Sequence, residues 1–456
     1  MNLGRLLKQR AAEGRPVRVG VIGAGKFSSM FLAQARTTPG LHLLGLADLS
    51  VERAEKALAA TGWDLKAQLA ASLDDALKSG RTFITDDAEK LIAANGLDVV
   101  VDITGSPAAA IKHTLAAISL GRHVVNVTVE ADVLAGPLLA ERAKRAGVVY
   151  ALAYGDQPAL VCEMVDWAEA CGFRVVSAGK GTKYLPHYVR STPATVWEHY
   201  GLSAEQAAAA GMNSQMFNSF LDGTKSAIEM AAISNATGLK APRDGLAFPP
   251  VGVDDLARVL IPRADGGVLE ESGLVEVVSS LARDGKPVPR DLRWGVYVVF
   301  EAANDDARAA YTRRSFREYG MITDKSGRYT ALYRPYHLIG LELGISVAAA
   351  ALRREPTGTP DAFRSDVVAV AKKALAPGEM LDGEGGYTVG GKIMRAEDSL
   401  ARRALPIGLA HKVALARPVA EGAVVSWDDV VIAEDETVRV RREMERRFAP
   451  KKAAAA

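Results

Sequence analysis

The residues with the clearest chemical signature form a glycine-containing turn near the start of the chain. Residues 23–28 read GAGKFS, directly after the apolar run Val17–Ile22. Gly23 suits a tight turn, and Gly25 lets the backbone approach a pyrophosphate, which the free N–H groups of a following helix would bind. Ser28 stands where glycine is usual and is small enough for close packing. The pattern predicts a strand, a turn and a helix that bind a dinucleotide.

Two charged residues after the next predicted strand bear on which dinucleotide binds. Leu41–Ala47 predicts a buried strand, and Asp48 follows it, 25 residues after Gly23. An acid at this position binds the ribose hydroxyls of NAD and repels the 2′-phosphate of NADP, whereas Arg53 could offset that repulsion. The sequence therefore leaves both NAD and NADP open.

A further turn, Thr104–Pro107, follows the predicted strand Leu97–Ile103 and would lie near the nicotinamide, although an ordinary turn is an equal alternative. The predicted cofactor-binding residues come from these three turns and are Gly23, Gly25, Lys26, Phe27, Asp48, Arg53, Thr104, Gly105 and Ser106.

Cations, hydroxyls and glycines are concentrated in residues 179–192. This composition suits a phosphate or carboxylate, since lysine and arginine form charge-assisted hydrogen bonds to both. A solvated loop is the alternative. The predicted substrate-binding residues are Lys180, Lys183, Arg190 and Ser191.

Ionisable residues also recur in residues 218–229. On a single helix, Asp222, Lys225 and Glu229 would share one face. The surrounding Ala, Met and Ile residues indicate that this face is half-buried, where ionisable groups often act in catalysis; an exposed ion-pair ladder is the alternative. His337 is a weaker candidate for proton transfer. The predicted catalytic residues are Lys225, Asp222, Lys180 and His337.

The elements that position these residues divide the chain into three predicted parts. Strands and helices alternate from Val17 to Ala153, which predicts a Rossmann-type, doubly wound α/β sheet in a domain of residues 1–155. Residues 156–355 predict an α+β substrate and dimerisation domain. Residues 356–450 predict a linker, within 355–385, and a small β-rich domain.

Composition narrows the class of protein. The 456 residues include 56 basic and 54 acidic side chains, a net charge of +2, which suggests neither a nucleic-acid nor a membrane partner. Two cysteines, no secretory signal and no long apolar run predict a cytoplasmic protein. A homodimer or higher homo-oligomer is expected.

The layout resembles known oxidoreductase families. Residues 15–160 resemble homoserine dehydrogenases and Rossmann-type sugar oxidoreductases, but Thr128–Asp132 lacks the lysine that both carry. A more specific resemblance is to deoxyxylulose-phosphate reductoisomerase-like enzymes, with a C-terminal segment similar to SAF-type β domains. The motifs that carry it are residues 155–158, 180–186, 191–193, 220–225, 334–340 and 417–430.

This resemblance implies an NAD(P)H-dependent conversion of 1-deoxy-D-xylulose 5-phosphate to 2-C-methyl-D-erythritol 4-phosphate, in isoprenoid precursor synthesis. It also implies a divalent metal, Mg²⁺ or Mn²⁺, on Asp156 and Glu229, and a phosphorylated small-molecule substrate. From the residues alone, Asp156 is equally suited to begin a helix. Two other functions stay open: a metal-free dehydrogenase of a short polyol, hydroxy acid or sugar acid with Lys225 as proton donor, and a non-enzymatic nucleotide sensor.

Overall fold

Strands and helices alternate through the first third of the protein. The computed structural model describes residues 2–302 and 307–449. Its first elements are α1 (Leu3–Ala12), β1 (Val17–Ile22), α2 (Lys26–Ala35), β2 (Leu41–Ala47), α3 (Val51–Ala60), α4 (Leu65–Gln68), α5 (Leu73–Ser79), β3 (Phe83–Thr85), α6 (Ala88–Ile92), β4 (Val99–Asp102), α7 (Pro107–Ser119), β5 (His123–Asn126), α8 (Val129–Arg145), β6 (Tyr150–Leu152) and α9 (Gln157–Ala170).

The remaining elements are more mixed in order. They are β7 (Phe173–Thr182), α10 (Val196–Tyr200), α11 (Ala204–Ala209), α12 (Ser214–Leu221), α13 (Thr224–Thr237), α14 (Leu256–Val259), β8 (Leu274–Ser279), β9 (Val296–Ala302), α15 (Ala307–Glu318), β10 (Ile322–Thr323), β11 (Tyr329–Arg334), α16 (Gly344–Arg353), β12 (Ser365–Ala371), β13 (Met380–Asp382), β14 (Val389–Arg395), α17 (Ala396–Ala401), β15 (His411–Leu415), β16 (Val430–Val431) and α18 (Glu436–Phe448).

The chain divides into two units. The first contains Met1–Leu160 and Leu338–Asp361, and the second contains Val161–His337 and the described chain from Ala362 onward. The predicted domain boundaries at 155 and 355 stay predictions, but α16, which lies inside the predicted substrate domain, belongs to the first unit.

A parallel six-stranded sheet forms the centre of the first unit, in the order β3-β2-β1-β4-β5-β6. The strands are mostly apolar, as expected where helices cover both faces of such a sheet, and the exceptions include Asp102 at the end of β4. Val19, Val99 and Val125 are buried in its core, together with Val347 of α16. This strand order confirms the predicted Rossmann-type fold.

A mixed five-stranded sheet forms part of the second unit, in the order β10-β11-β9-β7-β8. β7 and β8 pair in parallel, whereas β9 pairs antiparallel with both β7 and β11. Every residue of β9 is buried. Helix α13 packs against β7 and β8 and also against β12 and β14.

The predicted linker is wrong for its central part. β12 lies within residues 355–385, pairs with β14 along its full length, and buries Val367 and Val368 completely. The run SDVVAVA is β-branched and apolar enough to form a core strand, and the flanking Pro and Gly residues only bound it. The strands β13, β15 and β16 form a separate three-stranded sheet, which confirms the predicted β-rich C-terminal region.

Within the part of the chain that the structure describes, no helix combines the length and apolar character needed to cross a membrane.

Candidate functional site

The turn after β1 has the backbone geometry that a dinucleotide requires. Gly23 has φ of 104°, and a Cβ there would lie 2.7 Å from the carbonyl oxygen of Ile103, so only glycine fits. Gly25 begins α2 without a side-chain cap among the described residues, and a Cβ there would meet no atom within 4 Å. The N–H groups of the first helical turn thus have no side-chain cap at Gly25, and they are the groups that would bind a pyrophosphate.

The predicted residues Lys26 and Phe27 form the first turn of α2, where Lys26 is exposed and Phe27 half-buried. Ser28 is buried and its hydroxyl donates to the carbonyl of Gly25, at 2.7 Å. A small residue at this position lets α2 approach the sheet closely, and serine is small enough to stand in the place of the usual glycine.

Asp48 lies against the same turn. Its side chain is 3% exposed, and its carboxylate accepts the N–H groups of Ala24, at 2.7 Å, and Ser50, at 2.8 Å. It also forms an ion pair with Arg53, whose side chain is 57% exposed. Burial raises the pKa of the Asp48 carboxyl, but the bonds from Arg53, Ser50 and Ala24 outweigh burial and lower it below its ordinary value. Asp48 is therefore a fixed negative charge next to the predicted pyrophosphate site.

A second buried acid, Asp102, organises the turn after β4. One carboxylate oxygen accepts the hydroxyls of Thr104, at 2.8 Å, and Thr128, at 2.9 Å, and the N–H of Thr104, at 3.2 Å. The other oxygen is 2.8 Å from Nδ1 of His113. Thr128 in turn accepts the N–H of Gly105, at 3.1 Å.

These bonds place the predicted residues Thr104, Gly105 and Ser106 at the carboxyl end of β4, and the backbone N of Thr104 is 3.3 Å from the ideal Cβ position of Gly23. The sequence analysis did not single out Asp102. The available signal is its position, because Asp102, like Asp48, comes at the end of a fully apolar strand.

Asp132, on α8, is a third buried acid of the first unit. The Tyr150 hydroxyl donates to its carboxylate at 3.0 Å, and the Asn126 amide donates to that hydroxyl at 3.0 Å. Burial raises the pKa of Asp132 to about 7, against the opposing effect of the bond from Tyr150.

Asp156 directly precedes α9, and its carboxylate accepts the N–H of the next residue, Gln157, at 2.8 Å. Asp156 belongs to the first unit and Glu229 to the second, so a metal shared by the two stays a prediction. Among the residues that the structure describes, no group of three or more His, Cys, Asp and Glu side chains is arranged to hold a metal ion.

In the second unit, the prediction of one helix carrying three ionisable residues is wrong. Gly223 has φ of 91° and separates α12 from α13, so Asp222 ends one helix while Lys225 and Glu229 lie on the next. A residue in the left-handed conformation, which glycine adopts readily, cannot continue an α-helix. This is the physical reason for the break at Gly223. Lys225 is half-buried in the first turn of α13.

Asp222 pairs with a lysine that the sequence analysis missed. Lys372, in the predicted linker, donates to the Asp222 carboxylate at 2.7 Å, to the carbonyl of Ser191 at 2.6 Å and to that of Gly386 at 3.1 Å. Burial raises the pKa of Asp222 above its ordinary value, although Lys372 opposes the shift. Ser191 is buried and contributes its carbonyl here, which differs from the exposed hydroxyl expected of a substrate ligand.

Lys180 and Glu229 form a second buried ion pair. Lys180 comes from β7 and Glu229 from α13, and their side chains are 7% and 6% exposed. The predicted metal ligand Glu229 therefore has a cationic partner, and the charge of Lys180 is balanced within the protein.

The other predicted residues of this unit are spread over its surface. Arg190 forms an exposed ion pair with Glu421 at 2.9 Å. Lys183 is half-buried and donates to the carbonyl of His199. His337 is half-buried, with Nδ1 at 2.8 Å from the carbonyl oxygen of Trp294.

Residues 155–343 match the family model described as "Oxidoreductase DRL, catalytic domain". A comparison with curated proteins gives no match.

Solved structures with similar folds include three oxidoreductases. An NAD-binding oxidoreductase from Klebsiella pneumoniae is 20% identical, with 37% of this chain and 43% of that chain covered and a TM-score of 0.27. A probable dehydrogenase from Thermotoga maritima is 15% identical, with 74% and 90% covered and a TM-score of 0.36. A scyllo-inositol dehydrogenase from Lactobacillus casei is 12% identical, with 62% and 73% covered and a TM-score of 0.32.

The chain thus spans less than half of the Klebsiella structure, and similarities this low carry no information on substrate. The matched catalytic domain and the glycine turn with its buried acid nevertheless both indicate the same class of protein, an oxidoreductase. Residues 155–343 are therefore similar to the catalytic domain of an oxidoreductase family.

Proposed function

We propose that the protein is a dehydrogenase that transfers a hydride between NAD(H) and a small hydroxyl or carbonyl compound. The observation that carries this proposal is the buried Asp48 carboxylate, bonded to the N–H of Ala24 inside the glycine turn. An acid at this position accepts the ribose hydroxyls of the cofactor.

The same residue favours NAD(H) over NADP(H). Arg53, the cation that would accept a 2′-phosphate, already balances the charge of Asp48. A phosphate would have to take Arg53 from Asp48 and would leave two anions close together. At about 4 Å and an effective dielectric constant of about 20, that repulsion is about 4 kcal/mol per charge pair.

The bound nicotinamide supplies or accepts the hydride, and the protein must supply or accept the accompanying proton. Lys225 is the proton donor in this proposal, as a half-buried cation at the start of α13. The substrate is a short polyol, hydroxy acid or sugar acid. A cytoplasmic homo-oligomer is the proposed setting.

The reductoisomerase is the narrower hypothesis, and we prefer the dehydrogenase. A metal-assisted isomerisation would use Asp156 and Glu229 as ligands, but Glu229 is paired with Lys180 and the Asp156 carboxylate accepts the N–H of Gln157. A dehydrogenase makes no such demand on either carboxylate.

Cofactor binding is the first test. Fluorescence titration with NADH and NADPH should give tighter binding of NADH to the full chain, and Asp48→Ala should weaken NADH binding at least tenfold. Asp74→Ala, an exposed acid of the same unit, is the matched control. Equal binding of NADPH and NADH, or an Asp48→Ala variant that binds NADH as the control does, would remove the basis of the proposal.

Turnover is the second test. NADH oxidation and NAD⁺ reduction are followed with a panel of polyols, hydroxy acids and sugar acids in the presence of EDTA, and with 1-deoxy-D-xylulose 5-phosphate plus Mg²⁺ or Mn²⁺. The dehydrogenase hypothesis is supported if the protein is active in EDTA and the Lys225→Met variant has a lower kcat. Activity confined to the deoxyxylulose phosphate and dependent on the metal would establish the reductoisomerase instead.

A further inference from the structure

Two cations, Lys183 and Arg293, lie beyond the end of β7 in the second unit, near the imidazole of His199. A close backbone approach creates this arrangement. A Cβ on Gly181 would lie 1.9 Å from the carbonyl oxygen of Leu292, and the Gly181 N–H donates to the carbonyl of Gly295 at 3.0 Å. Glycine at 181 thus lets the segment carrying Arg293 lie against the strand end that carries Lys183.

Neighbouring aromatic residues hold these cations in place. Lys183 Nζ donates to the carbonyl of His199 and lies 5.5 Å from the centre of the Tyr200 ring. The Arg293 guanidinium lies 4.7 Å from the centre of the Trp294 ring, which is 60% exposed. Cation–π contacts of this kind restrict the side chains without neutralising them.

The like charges of Lys183 and Arg293 repel each other and disfavour protonation of the groups beside them. Burial, and then the charge of Arg293, lowers the pKa of Lys183 below its ordinary value. Burial, followed by the charges of His187 and Lys183, lowers the pKa of His199, although Glu198 opposes the shift.

Within the described part of the chain, neither Lys183 nor Arg293 forms an ion pair with a carboxylate, in contrast to Lys180 and Arg190. Two half-buried cations without an acid partner are stabilised by a bound anion, which forms charge-assisted hydrogen bonds to both.

We propose that Lys183 and Arg293, with the imidazole of His199, bind the oxyanion group of the substrate, a phosphate or a carboxylate. This inference rests on the proposed function and narrows its substrate to an anionic compound. It also reassigns the anion site predicted from the sequence, since Lys180 and Arg190 already have partners and Arg293 was not predicted. The exposed face of Trp294 would contact the carbon part of the substrate.

The test uses the full chain with inorganic phosphate and with malonate as probes, measured by titration calorimetry against chloride at equal ionic strength. Lys183→Gln and Arg293→Gln should each raise the Kd of the bound anion about tenfold or more, because each removes a charge-assisted bond. Arg263→Gln, an exposed arginine of the same unit, is the control. Binding of phosphate alone would indicate a phosphorylated substrate, and binding of malonate alone a carboxylate.

NADH titration of the same preparations separates the two proposals. Unchanged NADH binding with weakened anion binding in the two variants supports the oxyanion site. The site is rejected if neither probe binds, or if both variants bind the probes as the control does, while intact NADH binding and turnover would leave the proposed function standing.

Discussion

The buried carboxyl of Asp132 should make the first unit less stable as the pH rises. Its pKa is about 7 in the folded protein, against an ordinary value of 3.8. Between these values the folded state holds a proton that the unfolded chain has released. The contribution of this group to stability is therefore complete below about pH 4 and is lost as the pH rises through about 7.

The size of the effect follows from the difference between the two pKa values. About 3 units, at about 1.36 kcal/mol per unit, give a loss of about 4 kcal/mol in the free energy of unfolding between pH 4 and pH 8. Asp132→Asn removes the titrating proton while Oδ1 can still accept the hydroxyl of Tyr150. The variant should match the parent near pH 5 within about 1.5 kcal/mol and exceed its stability at pH 8.

The assay is urea unfolding at pH 5 and pH 8, followed by circular dichroism, with the parent and variant compared at each pH. Asp74→Asn is the matched control, since this acid is exposed in the same unit and should leave the pH dependence unchanged. If the Asp132→Asn variant shows the same pH dependence as the parent, the carboxyl is charged when folded and the reasoning is refuted.

Three further predictions concern the second unit. Glu229→Gln leaves the Lys180 ammonium buried without its counter-charge, and unfolding experiments in urea should show a loss of about 3–5 kcal/mol. Lys372→Met removes the cation that bonds to Asp222 and to two carbonyl oxygens. It should lower the free energy of unfolding in urea by a similar amount at pH 8 and by less at pH 4, where Asp222 is more readily protonated. Gly181→Ala places a methyl group 1.9 Å from a carbonyl oxygen, and should both lower the melting temperature and weaken binding of the anion probe, phosphate or malonate, about tenfold.

Matched variants control these measurements. Lys56→Met breaks an exposed i,i+4 pair with Glu52 and should cost less than about 1 kcal/mol. Gly4→Ala adds a Cβ where no atom lies within 4 Å, so it should not destabilise the protein. Losses in the three test variants no larger than in these controls would contradict the assigned pairs and the close approach.

The glycine turn after β1 and the acid after β2 could be predicted from the sequence because their signals are local. Gly23 and Gly25 are dictated by a turn of a few residues, and Asp48 follows an apolar strand whose length and composition are visible in one dimension. The alternation of apolar strands and helices in residues 17–153 likewise predicted the parallel sheet, since a strand covered on both faces must be apolar throughout.

The small-molecule part could not be predicted in the same way. Asp222, Lys225 and Glu229 were assigned to one helix by their spacing, yet a single glycine in left-handed conformation separates them. The strand β12 was taken for a linker because the Pro and Gly residues around it outweighed its short apolar run.

The sequence by itself determined the Rossmann-type domain, its dinucleotide turn and the acid that follows β2. Only the tertiary structure decided which charges are already balanced. Lys180 meets Glu229 across 49 residues and Lys372 meets Asp222 across 150. Periodicity and spacing in the sequence indicate neighbours within one element, whereas partners this distant are determined by how strands and helices pack. In the proposed site, this packing leaves Lys183 and Arg293 as cations for an anionic substrate.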